Sequence, residues 1–218
     1  AIARAFVDEG ARVVVADRDL VAAKTAAAPF GDAAFPFEVD VTREAQVQAL
    51  ARDTETRFGR IDILVNNAGI IRRDDAIKFS EKDWDDVIDL NLKTVFFFSQ
   101  AVAKEFMAQG SGGKIVNVSS TSGYYGRNRA IAYTAAKGGV INLTRSMAIQ
   151  LAPLKIRVNS VVPNKIGSPV GKDDFDPTRP VKNLVGRPGV PIDLANAILF
   201  LVSDDSSFIV GSDLFVDG

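Results

Sequence analysis

The chain has 218 residues, enough to bury a full core as one domain, with 47% hydrophobic and 24% charged residues, a globular rather than disordered balance. Its 26 basic and 27 acidic residues leave a net charge of −1 with no basic stripe, so nucleic acid and anionic membrane are not expected partners. Cysteine and histidine are both absent, which excludes disulfides, thiol chemistry, serine–histidine hydrolysis and most zinc catalysis. No metal is expected, and any acid/base work falls to Tyr, Lys or a carboxylate. No apolar run reaches membrane-span length, and a cytoplasmic location is expected.

In chain order, AIARAFVDE reads as a helix stopped by Gly10, and ARVVVAD as a buried strand ending at Asp17. A helical stretch (19–28) leads to a short strand, AFPFEVDV. A charged amphipathic helix (43–58) is closed by Gly59, and the apolar strand in IDILVNNAG breaks into an Asn/Gly loop. A long helix spans 80–109, GSGG punctuates, and KIVNVSS is a strand. A Gly/Tyr loop (121–129) precedes a helix bearing Tyr133 and Lys137. IRVNSVV is a further strand, followed by a proline-rich irregular segment (163–191) expected to be a substrate lid. Helix 192–203 and a final strand, SDLFVDG, complete the chain. Strands apolar throughout and alternating with helices predict a doubly wound parallel sheet, three layers α/β/α, in a single domain over 1–218.

Tyr133 and Lys137 lie four residues apart, on one helix face, where an ammonium can favour the phenolate and make tyrosine a usable acid/base. Taken alone, Y-x-x-x-K arises by chance, and a tyrosine on an apolar face is commonly core. Ser120, thirteen residues upstream, is either a substrate-facing hydroxyl or a loop-starting one. Asp17 at a strand end suits the ribose hydroxyls of a dinucleotide and repels a 2′-phosphate. The bland alternative is that Asp17 or Asp19 caps the next helix, and Arg18 could accept a phosphate. NNAG (66–69) is a turn or a ligand-facing loop at a strand's carboxyl end. Asn91, mid-helix, is either a satisfied core amide or one that distorts the helix and holds a water.

Together these residues make the chain similar to the short-chain dehydrogenase/reductase family along its whole length, through Asp40-Val41, NNAG, Asn91, Ser120, Tyr133, Lys137, NSVVPNKIGSP (159–169), GRPGVP (186–191) and the terminal VDG. The resemblance implies a Rossmann-type fold and an NAD(H)-dependent oxidoreductase interconverting a secondary alcohol and a ketone. Within it Tyr133 exchanges the proton with substrate, Lys137 lowers its pKa and holds the nicotinamide ribose, Ser120 bonds the carbonyl, and Asn91 anchors a water. Asp17 and Arg18 would meet the adenosine ribose, Asp40 and Val41 the adenine. Asn67, Ala68 and Gly69 would also face the ribose, and Pro163, Ile166 and Ser168 the nicotinamide. The resemblance also implies a homotetramer. Phe96, Phe97 and Val102 on the long helix, and Val140, Leu143 and Met147 on the Tyr133 helix, are expected to supply a second buried face.

Three departures from the family pattern stand out. Family members begin with a strand and glycine-rich turn not found in this sequence. That strand would lie between those ending at Asp17 and Asn66, so the sequence is expected to be a piece of a longer protein. Asn164 stands where the family has glycine after Pro163, and its tolerance of left-handed backbone is expected to preserve the loop. Val210 stands where threonine is common. NNAGIIRRDDAIKFSEKDWDDV and GRNRAIAYTAAKGG are similar to sugar-acid dehydrogenases of the family. Arg127 and Arg129 could therefore hold a substrate carboxylate, or be solvated loop arginines, and Tyr124 and Tyr125 could line the same pocket. The alternatives to an NAD enzyme are an NADPH-dependent 3-oxoacyl reductase and a non-catalytic dinucleotide-binding scaffold.

Overall fold

Valine and its β-branched relatives fill both faces of a covered sheet, and the apolar runs become strands for that reason. The computed structural model describes residues 1–167 and 183–218. Its strands are β1 (Val13–Asp17), β2 (Ala34–Glu38), β3 (Ile63–Asn66), β4 (Gly113–Val118), β5 (Ile156–Pro163) and β6 (Asp213–Val216). Every pairing is parallel. The strands form two hydrogen-bonded sets, β2-β1 and β3-β4-β5-β6. β1 and β3 present their other edges to a common cavity, which both strands line.

The helices are α1 (Ile2–Asp8), α2 (Leu20–Ala27), α3 (Glu44–Phe58), α4 (Glu81–Ile88), α5 (Thr94–Gln109), α6 (Ile131–Leu151) and α7 (Pro191–Val202). Alternation along each strand sends successive side chains to opposite layers. Ile115 and Val158 pack with Val102, Phe106 and Met147 under α5 and α6. Val116 and Val161 pack with Phe6, Leu194 and Ile198 under α1 and α7. The outcome is the expected doubly wound, three-layer parallel architecture.

Local signals explain the element ends. The Asp19 carboxylate accepts from Val21 N and Ala22 N and caps α2, so the capping role weighed for Asp17 belongs to Asp19. Gly59 ends α3 with φ 79°, a left-handed position that glycine takes without steric cost. The long helix over 80–109 is divided by a π-turn at Asp89–Lys93. The left-handed residue after Pro163 is Lys165 (φ 51°), not Asn164.

The faces assigned to subunit contact are largely used inside the chain. Val102, Val140 and Met147 are buried in the monomer, Phe97 and Leu143 are half-buried, and Phe96 is exposed. An α/β/α layer covers each helix on more than the one stripe that periodicity anticipates, because α5 packs on α3 and α6 as well as on β3 and β4. Among the described residues no helix is long and apolar enough to cross a membrane.

Candidate active site

At the carboxyl ends of the strands lies a cavity of about 2070 Å³ that extends into the space between β1 and β3. Its wall includes Asp17, Arg18, Asp40, Val41 and the loop Asn67–Gly69. It also includes Asn91, Ser120, Tyr133, Lys137, Pro163 and Ile166. Residues spread from 17 to 166 are brought together because parallel strands all deliver their carboxyl ends to one edge. Ser168, and most of the expected lid at 163–191, lie outside the described residues.

Lys137 is buried and donates from Nζ to Val118 O at 2.7 Å. Ser119 Oγ donates to Lys137 O at 3.0 Å, so the end of β4 and the first turns of α6 are tied in both directions. Burial depresses the ammonium to a pKa of about 8. Nζ stands 5.7 Å from the centroid of the Tyr133 ring.

Burial also holds the Tyr133 phenol above its ordinary value near 10, and the Ser120 hydroxyl, Arg127 and Arg73 pull it back down. The Lys137 ammonium donates to the Val118 carbonyl and is disfavoured as a cation by burial, and two arginines, Arg127 and Arg73, also act on the phenol. Ser120 Oγ accepts from Ser122 N at 3.1 Å, which fixes the turn leaving β4.

Asn91 sits in the π-turn and is fully buried. Its Nδ2 donates to Val87 O and Ile70 O, both at 2.9 Å, and its Oδ1 accepts from Ile70 N at 3.3 Å. The amide therefore clamps the 66–71 loop to the helix and occupies Val87 O, the carbonyl beside which the helix widens. Gly69 is required here for close approach, since a Cβ would stand 2.8 Å from Asn91 Oδ1.

At the far end of the cavity one Asp17 oxygen accepts from Asp19 N at 3.0 Å. Asp40 Oδ1 accepts from the side chain and backbone of Thr42 at 2.7 and 3.0 Å. Those bonds, with Arg43 and Arg18 nearby, hold its carboxyl below the usual carboxylate range. Asp40 thus forms the turn into α3.

The substrate candidates separate. Arg127 lines the cavity, together with Asn128, Arg72 and Arg73. Tyr124 and Tyr125 do not belong to the wall. The Tyr124 hydroxyl donates to Asp213 Oδ2 at 2.7 Å and its ring packs at 4.9 Å on Phe215, while Tyr125 is exposed. Arg129 is also outside the wall, paired with Asp75 at 3.7 Å. Loop anchoring is the cause, because Arg145 also donates to Asp213 Oδ2 at 2.5 Å and Ser160 Oγ donates to Oδ1, which makes Asp213 a buried mooring for Tyr124.

Sequence reading missed two features. One is a buried ladder in which Asn66 Nδ2 donates to Ser99 Oγ and Asn117 Oδ1, and Asn117 Nδ2 donates to Thr144 Oγ1. The signal was asparagine inside valine strands, where it is disfavoured unless bonded. The other is Arg73, visible only as the second of two arginines after NNAGII.

The profile of a family described as enoyl-(acyl carrier protein) reductase matches residues 1–218. A 2-dehydro-3-deoxy-D-gluconate 5-dehydrogenase of Escherichia coli is 46% identical over 184 residues, covering 82% of this chain and 73% of the relative. The crystal structure of a short-chain type dehydrogenase/reductase from Mycobacterium marinum superposes with a TM-score of 0.93 at 35% identity, covering 100% of this chain and 88% of the other. A 3-ketoacyl-(acyl-carrier-protein) reductase from Brucella melitensis, solved with NADH, superposes at 0.91 with 36% identity, covering 100% and 91%.

Proposed function

The chain belongs to the short-chain dehydrogenase/reductase family, and from that premise we propose an NAD(H)-dependent dehydrogenase of sugar-acid-like hydroxy acids, with Tyr133 as its acid/base. The family's chemistry, interconversion of a secondary alcohol and a ketone, is the chemistry of this chain. The observation that carries the reading is the meeting of Ser120, Tyr133, Lys137 and Asn91 on the wall that also bears Asp17.

The donor set fits a nicotinamide dinucleotide at both ends. Asp17 and the Asn67–Gly69 loop would take the adenosine ribose, Asp40 and Val41 the adenine, and Lys137 the nicotinamide ribose, with Pro163 and Ile166 beside the nicotinamide. Among the described residues no glycine-rich turn precedes β1, so the pyrophosphate contacts are left unassigned. The dinucleotide supplies the capacity to accept or donate hydride.

Everything else in the reaction falls to the chain. In the oxidative direction Tyr133 Oη takes the hydroxyl proton of the substrate, and in the reductive direction it returns it. Ser120 Oγ hydrogen-bonds the same substrate oxygen and orients it. Asn91 keeps the 66–71 loop and the π-turn in register beside them. Arg127 and Arg73 add positive field at the phenol.

NAD is preferred over NADP on this reading because a carboxylate at Asp17, at the strand end beside the ribose site, would repel a 2′-phosphate. Titration of NADH and NADPH against the protein tests this, and tighter NADPH binding refutes it. Tyr133→Phe is expected to lower turnover by on the order of 100-fold or more with cofactor affinity nearly unchanged. Activity within a few-fold of the parent would end the acid/base assignment.

The sugar-acid class rests on the 46% identity to the Escherichia coli enzyme. Likeness to the 3-ketoacyl-(acyl-carrier-protein) reductase from Brucella melitensis favours a 3-oxoacyl thioester as the second reading. A homotetramer is proposed on family membership, and a monomer by light scattering at micromolar concentration refutes it.

A further inference from the structure

We propose that Arg127 is the carboxylate-binding end of the substrate pocket and selects an anionic hydroxy or keto acid over a neutral alcohol or thioester. The inference rests on the acid-dehydrogenase reading above and assigns its specificity to residues.

The loop between Ser120 and Tyr133 is held at two points, and both holdings turn charge or ring away from the cavity. Tyr124 is moored to Asp213. Arg129, in left-handed backbone with φ 58°, pairs with Asp75, and its carbonyl accepts from Asp74 N at 3.2 Å. Between these anchors Arg127 and Asn128 are presented on the cavity wall that also bears Ser120 and Tyr133.

Neighbouring arginines are spoken for by carboxylates: Arg72 by Asp83 at 3.5 Å, Arg129 by Asp75 and Arg145 by Asp213. Among the described residues Arg127 has no hydrogen bond or ion pair, and its charge is felt at the Tyr133 phenol. Arg73 lines the same wall and acts on the same phenol. A guanidinium facing a cavity without a protein counter-ion is suited to a bidentate carboxylate, which it binds with planar, charge-assisted bonds.

The placement also sets the geometry of the substrate. Its carboxylate sits at the loop end of the pocket, and the reacting carbinol carbon lies between there and Ser120 and Tyr133. An acyl thioester offers no charge at that end.

The test uses 5-keto-D-gluconate and its methyl ester as probes, which differ in one charge. Steady-state reduction of both, and calorimetric binding of each, are measured for the parent, Arg127→Ala and Arg127→Lys. The parent is expected to favour the acid over the ester by on the order of 10–100-fold in kcat/KM. Arg127→Ala should lose at least about ten times more on the acid than on the ester, mainly in KM. Arg127→Lys should recover part of the difference, and calorimetry should follow the same order.

Equal losses on acid and ester mean that Arg127 is structural and overturn the inference while the acid reading stands. An acid preference that survives Arg127→Ala does the same. A parent that shows no preference, or that processes neutral polyols and neither probe, overturns the acid reading and this inference with it.

Discussion

Replacing Asn91 by alanine tests whether one buried amide couples the π-turn to the 66–71 loop. The side chain makes three hydrogen bonds, two donated at 2.9 Å and one accepted at 3.3 Å. At about 1 kcal/mol net for each, their loss costs about 3 kcal/mol, and any group left buried without a partner adds to that. For a chain of this size 1 kcal/mol shifts the melting temperature by roughly 2–4 °C, so the expected fall is about 6–12 °C. Guanidinium unfolding followed by far-ultraviolet circular dichroism gives the free energy, and Trp84 fluorescence reports the adjoining α4. Asn91→Asp keeps an acceptor for Ile70 N but loses both donated bonds and sets a buried carboxylate against the Ile70 and Val87 carbonyls, so it should be at least as destabilised as the alanine variant. A loss below about 0.5 kcal/mol in Asn91→Ala would refute the clamp, because bonds of this net worth could not then be holding the two segments together.

Two other perturbations follow from the same structure. The folded pKa of Lys137, about 8, lies below its ordinary 10.5, so between these values the unfolded chain binds a proton that the folded chain does not. Stability should therefore rise with pH across this window and be lost as pH falls through about 8, by at most about 3 kcal/mol. Urea midpoints at pH 7.5 and 9.5 measure it, and Lys137→Met should flatten the slope. Asp213→Ala strips a buried acceptor from Arg145, Tyr124 and Ser160. With Arg145 half-exposed and free to rehydrate, the cost should be about 2–3 kcal/mol rather than the full value for a buried pair. KM for an acid substrate should rise as the loop bearing Arg127 loosens, and an unchanged midpoint would show that Asp213 moors nothing.

Much was legible without coordinates, because element type follows from repeats only a few residues long. Valines at 13–15 in an unbroken apolar run specify a covered strand, and a Tyr and Lys four apart share a helix face whatever surrounds them. The parallel, doubly wound order followed from strand–helix alternation, and that order alone gathers Asp17, Asn67, Ser120 and Tyr133 at one sheet edge. The direction of a side chain on a loop obeys no such local rule, since it is set by partners distant in sequence. Tyr124 is claimed by Asp213, 89 residues away, and Arg129 by Asp75, so of the four candidate substrate residues between Ser120 and Tyr133 only Arg127 reaches the cavity wall. Asn91 looked the same as a core amide or a helix-distorting one until Ile70 and Val87 were placed around it. Likewise Lys137 sits one turn from Tyr133 by sequence, but that its ammonium donates to the Val118 carbonyl and that Arg127 and Arg73 also act on the phenol came from packing. The chain itself dictated which groups could meet, through short-range periodicity and strand order. Which of them do meet was decided by tertiary packing, because burying a charge or an amide requires a specific partner, and those partners come from elsewhere in the chain.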